Sequence, residues 1–280
     1  MRFVAIIGAG ELGAGIARTL ATRGHVAEVR LIDEASDIAA GKALDIQQAA
    51  PIENSPTRIT TAREVTAAVG AAAIVLADRA TPAELSGEMR LALVRTLAVL
   101  DQRAVIVVAG AAEHDLLTQG LRELHIPRTR LIGSAPGAVV LALSALVALE
   151  ADVSPSAVAL TVLGRLPDRI VVPWSDTTIA GRPLTRVLDA ARLARIERRA
   201  AAAGAPGPYT LGVAAARVAE MLVSGSRRVV CCTIGLEGEF GIQRAICSAP
   251  VMIEPGGIVR VIAPPLDARE QVLLENALNL

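Results

Sequence analysis

Phe3-Val4-Ala5-Ile6-Ile7-Gly8-Ala9-Gly10-Glu11-Leu12-Gly13 is the stretch from which the rest of the chain can be read. Its unbroken apolar run bounded by glycine predicts a buried strand, and the apolar spacing across Glu11–Arg23 predicts a helix directly behind it. Between them the glycines fall at Gly-x-Gly-x-x-Gly spacing, a signal that carries weight only in this strand–turn–helix setting. Gly8 permits the tight turn, Gly10 lets backbone approach a diphosphate, and Gly13 lets the helix pack close. The unpaired N–H groups at the helix start then favour phosphate.

Asp33 strengthens the motif, because it follows about 20 residues on, at the end of a strand predicted over residues 26–32. A carboxylate there accepts both ribose hydroxyls and repels a 2′-phosphate, so NAD is expected over NADP. Arg30 precedes the aspartate within the strand, and no arginine is obviously placed to reverse that preference. The expected cofactor set is Gly8, Gly10, Glu11, Leu12, Gly13, Asp33 and Ala77.

Further along, Ala73–Leu76 and Val105–Val108 read as strands, and residues 35–49 and 84–100 as amphipathic helices. Strands alternating with helices predict a doubly wound parallel sheet of Rossmann type. After Gly133 the pattern becomes α+β: paired strands near 157–163 and 169–172, two helices, strands at 227–234, 242–253 and 258–261, and a closing helix over 264–279. Two tightly packed domains are expected, 1–134 and 135–280.

Composition narrows the function classes. Of 280 residues, 52% are hydrophobic, enough to fill two cores, and the formal net charge is zero. With acids and bases interspersed, no footprint for nucleic acid or an anionic membrane is present, and neither is expected as a partner. Cys231, Cys232 and Cys247 have neither metal-ligand nor disulfide spacing, so buried thiols in a reducing cytoplasm are expected, and no metal. Arg2 before an apolar run imitates a signal peptide, but Gly8, Gly10 and Glu11 cut the run short. The uncharged stretch 131–149 is broken by Pro136 and Gly137. About 13 residues then remain, too short a helix to cross hydrocarbon, and a buried helix is expected.

Three further stretches show a resemblance over essentially the whole chain. Asp33 followed by Gly41-Lys42-Ala43-Leu44-Asp45, then Gly164 with Asp168, Trp174, Ser175 and Ala180-Gly181-Arg182-Pro183-Leu184, then Arg228-Val229-Val230 with Leu236-Glu237-Gly238-Glu239-Phe240-Gly241, together resemble the lactate/malate dehydrogenase family. The resemblance implies an NAD-binding Rossmann domain, a C-terminal α+β substrate domain and a homodimer or homotetramer. It also implies a histidine that exchanges a proton with the substrate hydroxyl, an aspartate that orients it, and arginines that hold the substrate carboxylate.

These residues are replaced. The family's His-Gly-Asp becomes Leu166-Pro167-Asp168, and no histidine follows His125. Its Asp-x-x-Arg, on one helical face because i and i+3 are neighbours, becomes Val139 and Ala142. The two loop arginines fall near Thr81 and Gly87, flanked at other spacings by Arg79 and Arg90, and the asparagine after the fifth strand is replaced near Gly110. Joint loss is physically coherent, since an aspartate deprived of its histidine would be an uncompensated buried charge. Losing acid–base transfer alone costs about 10²–10⁴ in rate.

Arg165, Asp168, Arg169 and Asp176, His114 with Asp115, and Tyr209 are the candidates for substitute chemistry; ion pairing and a solvated helix start are the commoner fates of such residues. His25 belongs to a turn far from the nicotinamide end. Three readings stand at this point: an NAD(H)-binding pseudoenzyme with an unknown small-molecule ligand, an active NAD-dependent oxidoreductase of CH-OH donors with a less acidic substrate, and a non-enzymatic structural or regulatory subunit.

Overall fold

The computed structural model describes residues 3–81, 87–111, 113–202 and 204–278. The first half runs β1 (Phe3–Ile7), α1 (Glu11–Arg23), β2 (Glu28–Ile32), α2 (Ser36–Glu53), β3 (Arg58–Ala62), β4 (Ala73–Leu76), α3 (Gly87–Leu100), β5 (Val105–Val108), α4 (His114–Arg122) and β6 (Leu131–Gly133). These six strands are parallel in the order β3-β2-β1-β4-β5-β6. That is the doubly wound arrangement expected, with the turns after β1 and β4 side by side at the reversal of strand order.

The second half runs α5 (Ala135–Ala151), β7 (Val158–Ala159), β8 (Leu163–Arg165), β9 (Arg169–Val171), β10 (Thr178–Ile179), β11 (Arg182–Pro183), α6 (Leu184–Val187), α7 (Ala190–Ala201), α8 (Pro208–Ser224), β12 (Val229–Glu237), β13 (Gln243–Glu254), β14 (Gly257–Val261) and α9 (Ala268–Ala277). An antiparallel set continues from β6 through β12, β13, β8 and β9, with β14 also on β13, and β11-β10-β7 form a small separate sheet. The join is one pair, Thr233 on β12 opposite Gly133 on β6.

Several expected boundaries shift, each for a visible reason. The second strand begins at Glu28, and the following helix runs past Pro51 to Glu53, because a proline one turn from the end interrupts little of the hydrogen-bond ladder. The third helix begins its described part at Gly87, residues 82–86 lying outside the described set. Pro136 and Gly137 do not break the 131–149 stretch: β6 ends it first, and Pro136 sits in the first turn of α5, where its missing N–H is harmless. No described helix is long and apolar enough to cross a membrane. The expected strand at 157–163 divides, β7 pairing with β10 and β8 with β9. The closing helix starts at Ala268, where Asp267 and Glu270 form a reciprocal capping box, so the prolines before it stay outside.

Two parallel strands had no expectation. β3 is an edge strand in which only Ile59 is buried, so its apolar signal is faint, and β6 is three residues whose apolar run merges with α5. The core lies on both faces of the sheet. Ile6, Val29, Val75 and Val107 face one cluster with α1 and α8, and Ala5, Ile7, Ile74 and Ile106 face the other with α3 and α4. All three described cysteines are free and buried in this interior.

Candidate functional site

The turn between β1 and α1 is held from several sides. Asp33, just past β2, accepts from Ala9 N at 2.8 Å and Ala80 N at 2.9 Å through Oδ2, and from Ala35 N at 2.9 Å through Oδ1. Burial pushes its carboxyl up, but these three N–H donors and nearby Arg79 outweigh it and hold it below the ordinary value. It is a carboxylate at neutral pH. From α2, Lys42 Nζ donates to the Ala9 and Gly10 carbonyls at 2.6 and 3.1 Å, so the chain's one lysine clamps the glycine turn.

Gly8 has φ 108°, and a Cβ there would overlap the Asp78 carbonyl; a Cβ on Gly13 would overlap the Gly8 carbonyl. The first and third glycines thus do the work their spacing implied. Gly10 differs, because a Cβ there would overlap the Asp78 carboxyl group of this same chain.

Asp78 is the residue the sequence reading missed. Gly10 is the N-cap of α1 and has no side chain with which to satisfy the first-turn amides. Asp78, exposed just beyond β4, supplies one from the neighbouring strand: Oδ1 accepts from Gly13 N at 2.9 Å, Oδ2 from Leu12 N at 3.2 Å, and its backbone carbonyl from Gly10 N at 2.9 Å. Only the fact that β1 and β4 are sheet neighbours brings residues 66 and 65 positions apart together. Glu11 begins the helix with its side chain in solvent, and the Leu12 side chain is buried.

Beside Asp33 opens a cavity of about 290 Å³, lined by Gly8, Ile32, Asp33, Ala77, Met89 and Leu93 among others, and by Glu34, Arg63 and Arg79. Apolar walls with a few convergent polar groups suit a flat base and its ribose. Arg79 and Arg63 do line this cavity, and Arg79 forms an ion pair with Glu34. The fit to a dinucleotide is therefore divided. The adenosine end has a cavity and a carboxylate, whereas the first-turn amides that would take the diphosphate are held by Asp78.

At the other end, Leu166 follows β8 and Val139 lies in the second turn of α5, 7% and 9% exposed and members of one apolar cluster. Ala142, one turn further along, is exposed. Asp168 is exposed on the β8–β9 turn, Arg165 faces His114 and Arg122, and Tyr209 is 77% exposed. Asp176 sits near Glu270, burial and that neighbour pushing its carboxyl up. His114 opens α4, half-buried, and burial with Arg165 holds its imidazole below the usual value. His25 pairs with Glu220 of α8 through Nδ1 at 2.7 Å. Of the loop over residues 81–90, Thr81 is exposed and Arg90 lies near Gly110; residues 82–86 are outside the described set.

Glu113, on the β5–α4 connection, is a buried acid that no motif pointed to. Burial pushes its carboxyl up to about 8, although Thr233 Oγ1 and the N–H groups of Ala135 and Ser134 donate to it. A Cβ on Gly133 would overlap it.

Comparison with known proteins places both halves. Residues 3–113 match the lactate/malate dehydrogenase NAD binding domain, and residues 141–279 match the lactate/malate dehydrogenase alpha/beta C-terminal domain. Malate dehydrogenase of Cytophaga hutchinsonii is 31% identical over 98% of this chain and 94% of its own length. That of Thermomicrobium roseum is 30% identical over 99% and 95%. Among solved structures, malate dehydrogenase from Salinibacter ruber superposes with a TM-score of 0.89 at 25% identity, covering 98% of this chain and 93% of that one. The Cryptosporidium parvum lactate dehydrogenase complexed with lactic acid and nicotinamide adenine dinucleotide shares the fold at TM-score 0.88 and 20% identity, covering 99% and 95%.

Proposed function

This chain belongs to the lactate/malate dehydrogenase family, with NAD the cofactor of its N-terminal domain, and from that membership we propose that it is a nucleotide-binding member that does not oxidise malate or lactate. The observation that supports the reading is the burial of Leu166 and Val139 in the apolar core, the two positions that the resemblance matches to the family's histidine and aspartate. Neither can move a proton. With Ala142 in place of the arginine, nothing at that position pairs with a substrate carboxylate.

The test is NADH consumption by purified protein with oxaloacetate and with pyruvate, alongside an NADH fluorescence titration. Background-level consumption together with saturable NADH binding is expected. Turnover of either keto acid at ordinary enzyme rates, about 1–10³ per second, overturns the reading. A broad carbonyl screen extends it: the apolar pair Leu166 and Val139 favours a less acidic substrate if one is turned over, and silence across the screen leaves a regulatory or structural role.

We further propose a cytoplasmic homodimer or homotetramer, divided into domains at residue 134. Free, buried cysteines suit a reducing compartment, and the exposed Ile38, Leu44 and Ile52 on α2 supply an apolar face for a second copy. Size-exclusion chromatography with light scattering tests the assembly, a monomer being the contrary result.

A further inference from the structure

The anion at the start of α1 is the chain's own. A diphosphate binds a Gly-x-Gly-x-x-Gly turn because the first-turn N–H groups are unpaired and the helix dipole favours negative charge. Here the Leu12 and Gly13 N–H groups already donate to the Asp78 carboxylate, and the Gly10 N–H to its backbone carbonyl. A second anion would meet like charge and could accept from the Leu12 and Gly13 N–H groups only by displacing the Asp78 carboxylate. The space is taken as well, since the Asp78 carboxyl group lies where even a Cβ on Gly10 would collide with it.

Asp78 is nevertheless exposed, so rotating its side chain into solvent buries no charge and breaks only its two carboxylate bonds, from the Leu12 and Gly13 N–H groups. Its neighbours leave the adenosine end untouched. Asp33 keeps its place through Ala9, Ala35 and Ala80, and the cavity beside it stays open.

We propose that Asp78 is an intramolecular competitor for the dinucleotide diphosphate, so that the site takes an adenine nucleoside without phosphates ahead of NAD, and NAD enters only by displacing the Asp78 side chain. The proposal rests on the nucleotide-binding reading above and adds the ligand class and the device that sets it.

Isothermal titration of the full chain with adenosine, ADP-ribose and NADH tests this, in the wild type, Asp78→Ala and Asp78→Asn, with melting temperatures recorded for each. The Asn variant keeps an acceptor for the helix start without the charge. Adenosine should bind all three proteins within about twofold, and the wild type at least as tightly as NADH does. ADP-ribose and NADH should tighten about tenfold or more in both variants, the scale expected when a charged hydrogen-bonding competitor is removed. If adenosine binds but both variants hold NADH no more tightly than the wild type, Asp78 is only a helix cap. The proposal then falls while nucleotide binding stands. If neither adenosine nor NADH binds any of the three, both readings are overturned.

Discussion

Glu113 Oε1 accepts a hydrogen bond from Thr233 Oγ1 across the join between the parallel and antiparallel parts of the sheet, with the two residues 1% and 4% exposed. Thr233 is also the residue of β12 that pairs with Gly133 of β6. Among the described residues, the β6–β12 pairing between the halves is thus backed by a buried carboxyl group that no cation contacts by a hydrogen bond.

That acid makes stability depend on pH. Its folded pKa of about 8 stands above the ordinary 4.5, so the folded chain binds the extra proton between those values. Its stabilising contribution is complete below about pH 4.5 and is lost as pH rises through 8, at about 1.4 kcal/mol per unit. Glu113→Gln cannot ionise. Thermal denaturation from pH 5 to 9 should show the wild type falling relative to this variant, with the gap widest at pH 9; parallel curves would contradict the assignment.

Glu220 has the opposite sign. Burial pushes its carboxyl up, but hydrogen bonds from Arg23 and His25 outweigh this and hold it below the ordinary value. Its contribution is present above the unfolded pKa and is lost as pH falls through the folded one. Because Arg23 and His25 are 37% and 60% exposed, Glu220→Gln should cost only about 1 kcal/mol at pH 7 after solvent screening. Urea denaturation should show that difference vanishing near pH 3.

Two glycines of α1 separate space from flexibility. A Cβ on Gly13 would overlap the Gly8 carbonyl, backbone that cannot swing aside, whereas one on Gly15 would meet nothing within 4 Å. Gly13→Ala should cost more than about 2 kcal/mol and abolish NADH binding, the cost of forced backbone movement in a packed turn. Gly15→Ala should raise stability by about 0.5–1 kcal/mol through helix propensity alone. Chemical denaturation of the pair measures both, and equal effects would contradict the geometry.

The proposed correspondence of Leu166 and Val139 with an acid–base pair can be probed by stability. Val139→Asp places an unpartnered carboxylate at a position 9% exposed and should cost about 3–5 kcal/mol. Adding Leu166→His should return at least about 1 kcal/mol in a double-mutant cycle, because a histidine there can hydrogen-bond the new carboxylate. Strict additivity would show that the two positions do not face each other.

The first glycine turn was legible because local rules are complete there: an apolar run, glycine spacing and a carboxylate at the next strand end each restrict the backbone or the charge by themselves. Membership in the family was legible for the same reason, through motifs in order along the chain. β3 and β6 were not, since one is an edge strand with a single buried side chain and the other runs into α5 without a break. Periodicity registers burial, and these strands carry too little of it to show.

Sequence by itself determined the Rossmann half, the α+β half and the identity of the turn residues, and it supplied the proposed correspondence of Leu166, Val139 and Ala142 with the family's proton carrier and its partners. Tertiary structure alone decided what fills the turn. Asp78 reaches the α1 N-terminus, Arg79 reaches the Asp33 cavity, and Thr233 reaches Glu113 because sheet pairing sets strands from distant parts of the chain side by side. Hydrogen bonds and ion pairs act over a few ångströms of space, and separation along the chain says nothing about that distance until the strand order is known.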